Sequence, residues 1–444
     1  GFADTTGKLG VQLTAAQVRA AAALDTTDSP QFTAVNIGAA TDTTITRVSA
    51  GVIAVEGVEL VDVSRSQTVG GVKTFSSDPI IPDEVYGVGW NGSLEPPTKN
   101  AVYDKIETLG AGSSSLPPGK LFGLSLLNNT VDVTNDIDFA TGKCRDCTDA
   151  ADLSATTAMT KRLDATWVAG TAAGGLDQGS IANATYHCHA IKKDSDSSID
   201  FIFSLSHDRS ATITVTIASP GVVTWTNHGL VAGSTVKFTT TDALPTGITA
   251  GTTYYVIATG LADSSFRISA TNGGAAINTT GSQSGVHTAQ STPLMPAGYT
   301  YFRRIGSIVR ESAAIVPFVQ DGDRFRRKTP IAGSNVTATT TAASLTLSTP
   351  YGIRVIAEIV VRAISTGSVY YRGLISDLSG TDTSPATLCN FATVADAAAP
   401  PDLSPLFIPA SIQRQVRHRE NVIDTGGEQF LIIECGWIDP RGRE

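Results

Sequence analysis

Short apolar runs at alternate positions, separated by Gly, Ser, Thr and Asp, set the pattern of residues 32–75. Val35 and Ile37, then Val52 to Val55, Val58 and Leu60, carry this alternation. A period of two predicts strands. No run has enough apolar residues to fill a core of its own. The pattern therefore predicts thin strands that bury one seam against copies of themselves, as in a fibrous shaft. Pro79 and Pro82, which cannot donate to a strand ladder, mark its exit.

Two stretches switch to helical spacing. In 13–24, LTAAQVRAAAAL, Thr14 with Gln17 makes a capping box, and Leu13 and Val18 fall at the staple positions. A helix shorter than about 12–15 residues is marginal alone, so this one is expected to pack on sister copies or on a neighbouring protein. In 90–110, Pro96 and Pro97 precede a helix from Thr98 in which Val102, Ile106 and Leu109 are spaced four and three apart. That spacing is a coiled-coil seam, closed by Gly110. AGSSSLPPG (111–119) is a linker by composition.

Longer apolar strands begin at Lys120, with turns rich in Asn, Asp and Gly, and their spacing predicts an antiparallel sandwich. FIFSLSHD (201–208) and STPLMPAGYTYFRRIGSIVR (291–310) read as one hairpin opened at its tip. Between them, 209–290 is denser in Thr and poorer in charge, with about six short strands and a turn signal after each. Loop tips tolerate such insertions.

Charge narrows the function classes. The 444 residues carry a formal net charge of −9, with 16% charged and 7% aromatic residues. A nucleic-acid surface would need a basic stripe. Arg324, Arg326, Arg327 and Lys328 form a local cluster, read as a solvated turn or an intersubunit salt-bridge site. No apolar run approaches the ~20 residues of a bilayer span, so membrane insertion is not expected. The start, GFADTTGKLG, has no initiator Met and no signal-peptide pattern, which predicts a processed or truncated piece of a longer polypeptide.

Five cysteines are present: Cys144, Cys147, Cys188, Cys389 and Cys435. The CxxC of Cys144 and Cys147 lacks a second ligand pair at zinc-site spacing. Isolated thiols, disulfides within or between subunits, and a metal site are the three readings. A particle working outside the cell can keep disulfides.

Other groups with possible chemistry are scattered. His187 and His189 in TYHCHA share one strand face with Cys188 on the other; an exposed or interfacial face is the leading reading, and His207 can join them only through the fold. The Asp-rich turns 131–139 and 192–200 lack the Gly and terminal Glu of a calcium loop. Glu358, Glu420, Glu428, Glu434 and Asp377 are not paired by sequence, as a glycosidase would require. No nucleophile elbow, zinc-protease or phosphate-loop motif occurs. No catalytic, metal or cofactor site is expected. Trp225, Tyr254, Tyr255, Tyr370 and Tyr371 would suit stacking on sugar rings if exposed; core and inter-strand packing is the favoured reading.

These segments carry a resemblance. LDTTDSPQFTAVNIG (24–38), ATDTTITRVSAGVIAVEGV (40–58) and QTVGGVKTFSSDPIIP (67–82) resemble the repeated shaft segments of bacteriophage tail fibres. The 90–110 block resembles a recurrent fibre segment. NHGLVAGSTVKF, the LPTGITAGTTYYVI run and FRISAT resemble the FCCH-like small β-barrel of phage structural proteins. The flanking LFGLSLLNN, TKRLD, GSIANATYH and RRIGSIVR resemble the C-terminal domain of tail-fibre and other minor structural proteins.

The resemblance implies a mainly β, elongated homotrimeric fibre. Its parts would be an N-terminal helical attachment segment (1–24), a β shaft (25–89), a short coiled coil (90–110) and the linker. A β-sandwich-like head (120–208 and 291–444) would carry a nested small β-barrel (209–290). The implied function is attachment of a tailed-phage virion to its host, with virion proteins at the N-terminal end and a surface glycan or protein receptor at the head. Tyr370, Tyr371, Trp225 and Tyr254 would be the receptor-contact aromatics. Rival roles are a non-adhesive neck, collar or head-decoration fibre, and a glycan-degrading tail spike.

Overall fold

The computed structural model describes residues 115–337, 339–364, 371–393, 404–421 and 429–443. It also describes short strands before residue 60 and the helical positions Ala16 and Val102. Two compact units emerge, Gly1–Tyr103 and Asp104–Glu444. Among the described residues the chain is almost entirely strand and turn, with little helix. Val102 is helical and 40% exposed; Ile106 and Leu109 lie outside the described residues.

In the first unit, Ala34–Ile37, Thr43–Ser49, Val52–Val55 and Val58–Glu59 form an antiparallel meander. The register sets Val35 opposite Ile45, Ile45 opposite Val55, and Val55 opposite Val58. Four β-branched positions thus line up in one row across four strands, a favourable arrangement for cross-strand pairs.

The second unit is built on an eight-stranded sheet. Its order is Ala314–Ile315, Tyr299–Glu311, Thr185–Lys193, Ile199–Ser204, Ala173–Leu176, Met159–Thr166, Asp136–Phe139 and Leu126–Asn128. Two sequence expectations are corrected here. Ala173–Leu176 runs parallel to both neighbours, so the sheet is mixed rather than antiparallel. The strands either side of 209–290 are not one hairpin: Thr185–Lys193 lies between them and pairs with both.

A five-stranded sheet, Phe318–Asp321, Arg324–Thr337, Gln429–Ile438, Val355–Ile364 and Leu406–Ala410, shares one core with the large sheet. Phe139 stacks on Phe201 at 4.3 Å, and Phe325 on Trp437 at 5.6 Å. Smaller sheets of three and four strands complete the unit.

Ser210–Val215, Val223–Thr224, Ser265–Ser269, Thr253–Ala262, Thr235–Thr240 and His287–Ser291 close a barrel with its own core. Chain entry and exit are neighbours, because Ser210 pairs with Gln290. Closure leaves no open edge. The root is pinned by polar contacts: Thr235 N to Ser206 Oγ at 2.8 Å, and Leu294 N to Asp177 Oδ2 at 3.0 Å.

Candidate functional site

The site lies where the barrel meets the sheets. His228–Leu230 of the barrel packs against Tyr351–Ile353, through two glycines. A side chain on Gly229 would come within 2.6 Å of Gly352 Cα, and both glycines have left-handed φ, +66° and +88°. Only glycine allows the two backbones this close.

On one side of this contact opens a cleft of about 1190 Å³. Its floor is the outer face of the five-stranded sheet, where Ile356 lies between Pro409 and Ile438 in register. Ile356 is 37% exposed, while Val355 and Ala357 on either side are buried in the core. The walls carry charge. Arg354 pairs with Asp377, whose carboxylate also accepts from Ser379 N at 2.9 Å. Burial works against ionising Asp377, but the bonds from Ser379 and Arg354 hold its carboxyl below its ordinary value. Arg443 pairs with Asp323. Arg209 and Asp263 approach from the barrel side. An apolar floor ringed by a few oriented polar groups is the usual form of a ligand-binding cleft.

Beneath the junction is a buried polar network on the second face of the large sheet. Arg304 Nη1 donates to Asp439 Oδ1 at 2.7 Å and to Ser307 Oγ at 3.2 Å, and its Nε is 3.5 Å from Asp208 Oδ1. His187 Nδ1 is 3.0 Å from Ser307 Oγ, and His207 Nε2 is 2.8 Å from His228 O. The rings of His187 and His207 are 6.0 Å apart, so the fold does bring these two together. The exposed or interfacial face expected for His187 and His189 is corrected: they are 2% and 0% exposed. Burial, then Arg304, pushes His187 well below its ordinary value; burial pushes His189 down to about 3 and His207 far down. No group of three or more metal-ligating side chains occurs among the described residues.

Other predicted residues fall as follows. Trp225 and Tyr254 are 2% and 4% exposed, inside the barrel core, and are corrected as surface aromatics. A barrel must fill its centre, and these two large rings do so, Tyr254 against Phe238 at 5.8 Å. Tyr371 opens the Tyr371–Ser376 strand; Tyr370 lies outside the described residues. The reading of disulfides within the chain is corrected: Cys144, Cys147, Cys188, Cys389 and Cys435 are free thiols in it, with Cys144 and Cys188 in the apolar core. Burial pushes the Cys144 and Cys147 thiols up to about 12, so they stay unreactive as nucleophiles.

The basic cluster is no solvated turn, since Arg327 is 7% exposed and bonds Ser348, and Arg324 pairs with Glu358 at 2.6 Å. Of the scattered carboxylates, Glu434 accepts from Ser348 N and Glu420 from Thr339 N, while Glu428 lies outside the described residues. Each serves a separate structural partner. Sequence reasoning missed Arg354, Ile356, Asp263 and Arg443 as cleft residues, because they lie far apart in the chain and no local motif joins them. No family model, curated protein or solved structure matches this chain.

Proposed function

We propose that the chain is the subunit of a homotrimeric fibre of a tailed-bacteriophage virion, and that the cleft of its 104–444 unit holds a host-surface receptor. The observation that carries the reading is the row Val35–Ile45–Val55–Val58. A row of β-branched positions across four strands gains stability when it is buried, and packing on copies of itself would bury it. Three chains joined there would present three clefts at once. Weak single contacts then become firm attachment through effective concentration. The N-terminal segment would meet other virion proteins.

The test uses the labelled full chain on a panel of bacterial cells and their envelope polysaccharides. Saturable binding to a receptor-bearing strain is expected, weakened at least tenfold by Ile356→Asp in the cleft floor. Val286→Asp, on an exposed barrel residue outside the cleft, should bind as the parent does. Equal binding of parent and Ile356→Asp, or no binding anywhere on the panel, would contradict the reading.

A further inference from the structure

A second, smaller cavity of about 330 Å³, lined in part by Gly229 and Tyr351, lies at the same junction. Leu205, Val231 and Val309 give it apolar walls; Arg310, Glu311, Tyr351, Arg414 and His187 give it polar ones. That volume sits at the small end of ligand pockets.

The hydrogen bonds fix what these groups offer. Arg304 can only donate, so Ser307 Oγ accepts from it and turns its own proton to His187 Nδ1. The remaining proton of His187 then sits on Nε2. That nitrogen has no hydrogen-bond partner among the described residues and points to Gly352, where an added Cβ would lie 3.5 Å away. A buried imidazole in the cavity wall thus keeps one N–H unengaged. Arg414 stacks on the Tyr351 ring at 5.7 Å, its Nε is buried without a partner, and its guanidinium makes no ion pair among the described residues. Arg310 bonds Asn183, Asn135 and the Ala313 carbonyl through its two terminal nitrogens, and its Nε is likewise buried without a partner. Glu311 is held by Ser348 and Arg327 but keeps acceptor capacity.

We propose that this cavity binds a small sugar acid: its carboxylate on the Arg414 fork and the His187 Nε2–H, its hydroxyls towards Glu311 and Tyr351. A planar guanidinium matches a carboxylate in two parallel hydrogen bonds. Arg310 and Arg414 against Glu311 leave the walls one net positive charge beside a neutral imidazole, which suits a monoanion. A phosphate dianion would exceed that charge. The several hydroxyl donors of a sugar complete the match to Glu311. The site is separate from the cleft and does not depend on the attachment reading.

The test is calorimetric titration of the full chain with glucuronate, with glucose and inorganic phosphate as comparators. Saturable glucuronate binding is expected, at least tenfold tighter than either comparator. Arg414→Gln should weaken it at least tenfold, whereas Ile356→Asp in the cleft should leave it unchanged. Because a His187 variant risks misfolding, the native protein supplies the second readout: the His187 Nε2–H NMR resonance should shift on adding glucuronate. No glucuronate binding would overturn the proposal. So would equal binding of glucose or phosphate, unaltered binding in Arg414→Gln, or an unmoved His187 resonance.

Discussion

Arg304→Ala is expected to destabilise the 104–444 unit by about 3–5 kcal/mol, the cost of breaking a buried ion pair from one side. Arg304 and Asp439 are both fully buried and 2.7 Å apart, with Asp208 on the other edge of the guanidinium. Removing the arginine takes the facing positive charge from two buried carboxylates and unseats Ser307, and through it His187. The measurement is the urea midpoint of the second unit. The surface pair Arg443–Asp323, roughly a third exposed at each side chain, supplies the contrast. Arg443→Ala should cost under about 1 kcal/mol. Equal midpoints for the two variants would show that the buried network does not hold the unit together.

Acid should weaken the same unit well before its ordinary carboxylates titrate. Buried His187, His189 and His207 have folded-state values below their ordinary one, mainly through burial. Below about pH 6.5 the unfolded chain therefore binds protons that the folded chain refuses. Their contribution is complete above that pH and is lost as pH falls, by up to about 1.4 kcal/mol per pH unit for each histidine. His228, lowered mainly by burial, acts in the same direction. Three groups oppose this. Burial pushes Asp177 up to about 7, Asp136 up to about 6 and Glu434 above its ordinary value, so all three favour the folded state as pH falls towards 4. Four histidines against three carboxyls leave a net loss of about 1–3 kcal/mol per pH unit between pH 6 and 4.5. Urea midpoints across that window should fall steadily. A flat or rising profile would mean that the imidazoles find protons or water in the folded state.

The β character was legible because alternation is a local signal. Period-two runs at 34–59 and from Lys120 onward coincide with strands, and little helix appears among the described residues. What alternation could not say is which face meets water. His187 and His189 are polar at alternate positions, which ordinarily marks a solvent face; here Asp439, Asp208 and the barrel root cover that face, and hydrogen bonds satisfy most of it. Trp225 and Tyr254 failed for the converse reason, since a ring with a polar edge suits both a sugar-binding surface and a barrel interior. Strand partners were invisible where pairing is long-range: nothing local tells Tyr299–Glu311 to pair with Thr185–Lys193 rather than with Ile199–Ser204. The cleft was invisible for the same reason, drawing on Arg209, Asp263, Arg354, Asp377 and Arg443. The small cavity left a weak trace, the glycines of NHGL and PYGI, whose meaning depends on their meeting.

The central claim is that three chains share the seam of the first unit, and the native mass of the full chain tests it most directly. Light scattering on the purified protein is expected to give about three times the 46.1 kDa of one chain, unchanged on dilution through the micromolar range. A mass of 46.1 kDa at every concentration would contradict the fibre and leave the cleft as the site of a monomeric binding module.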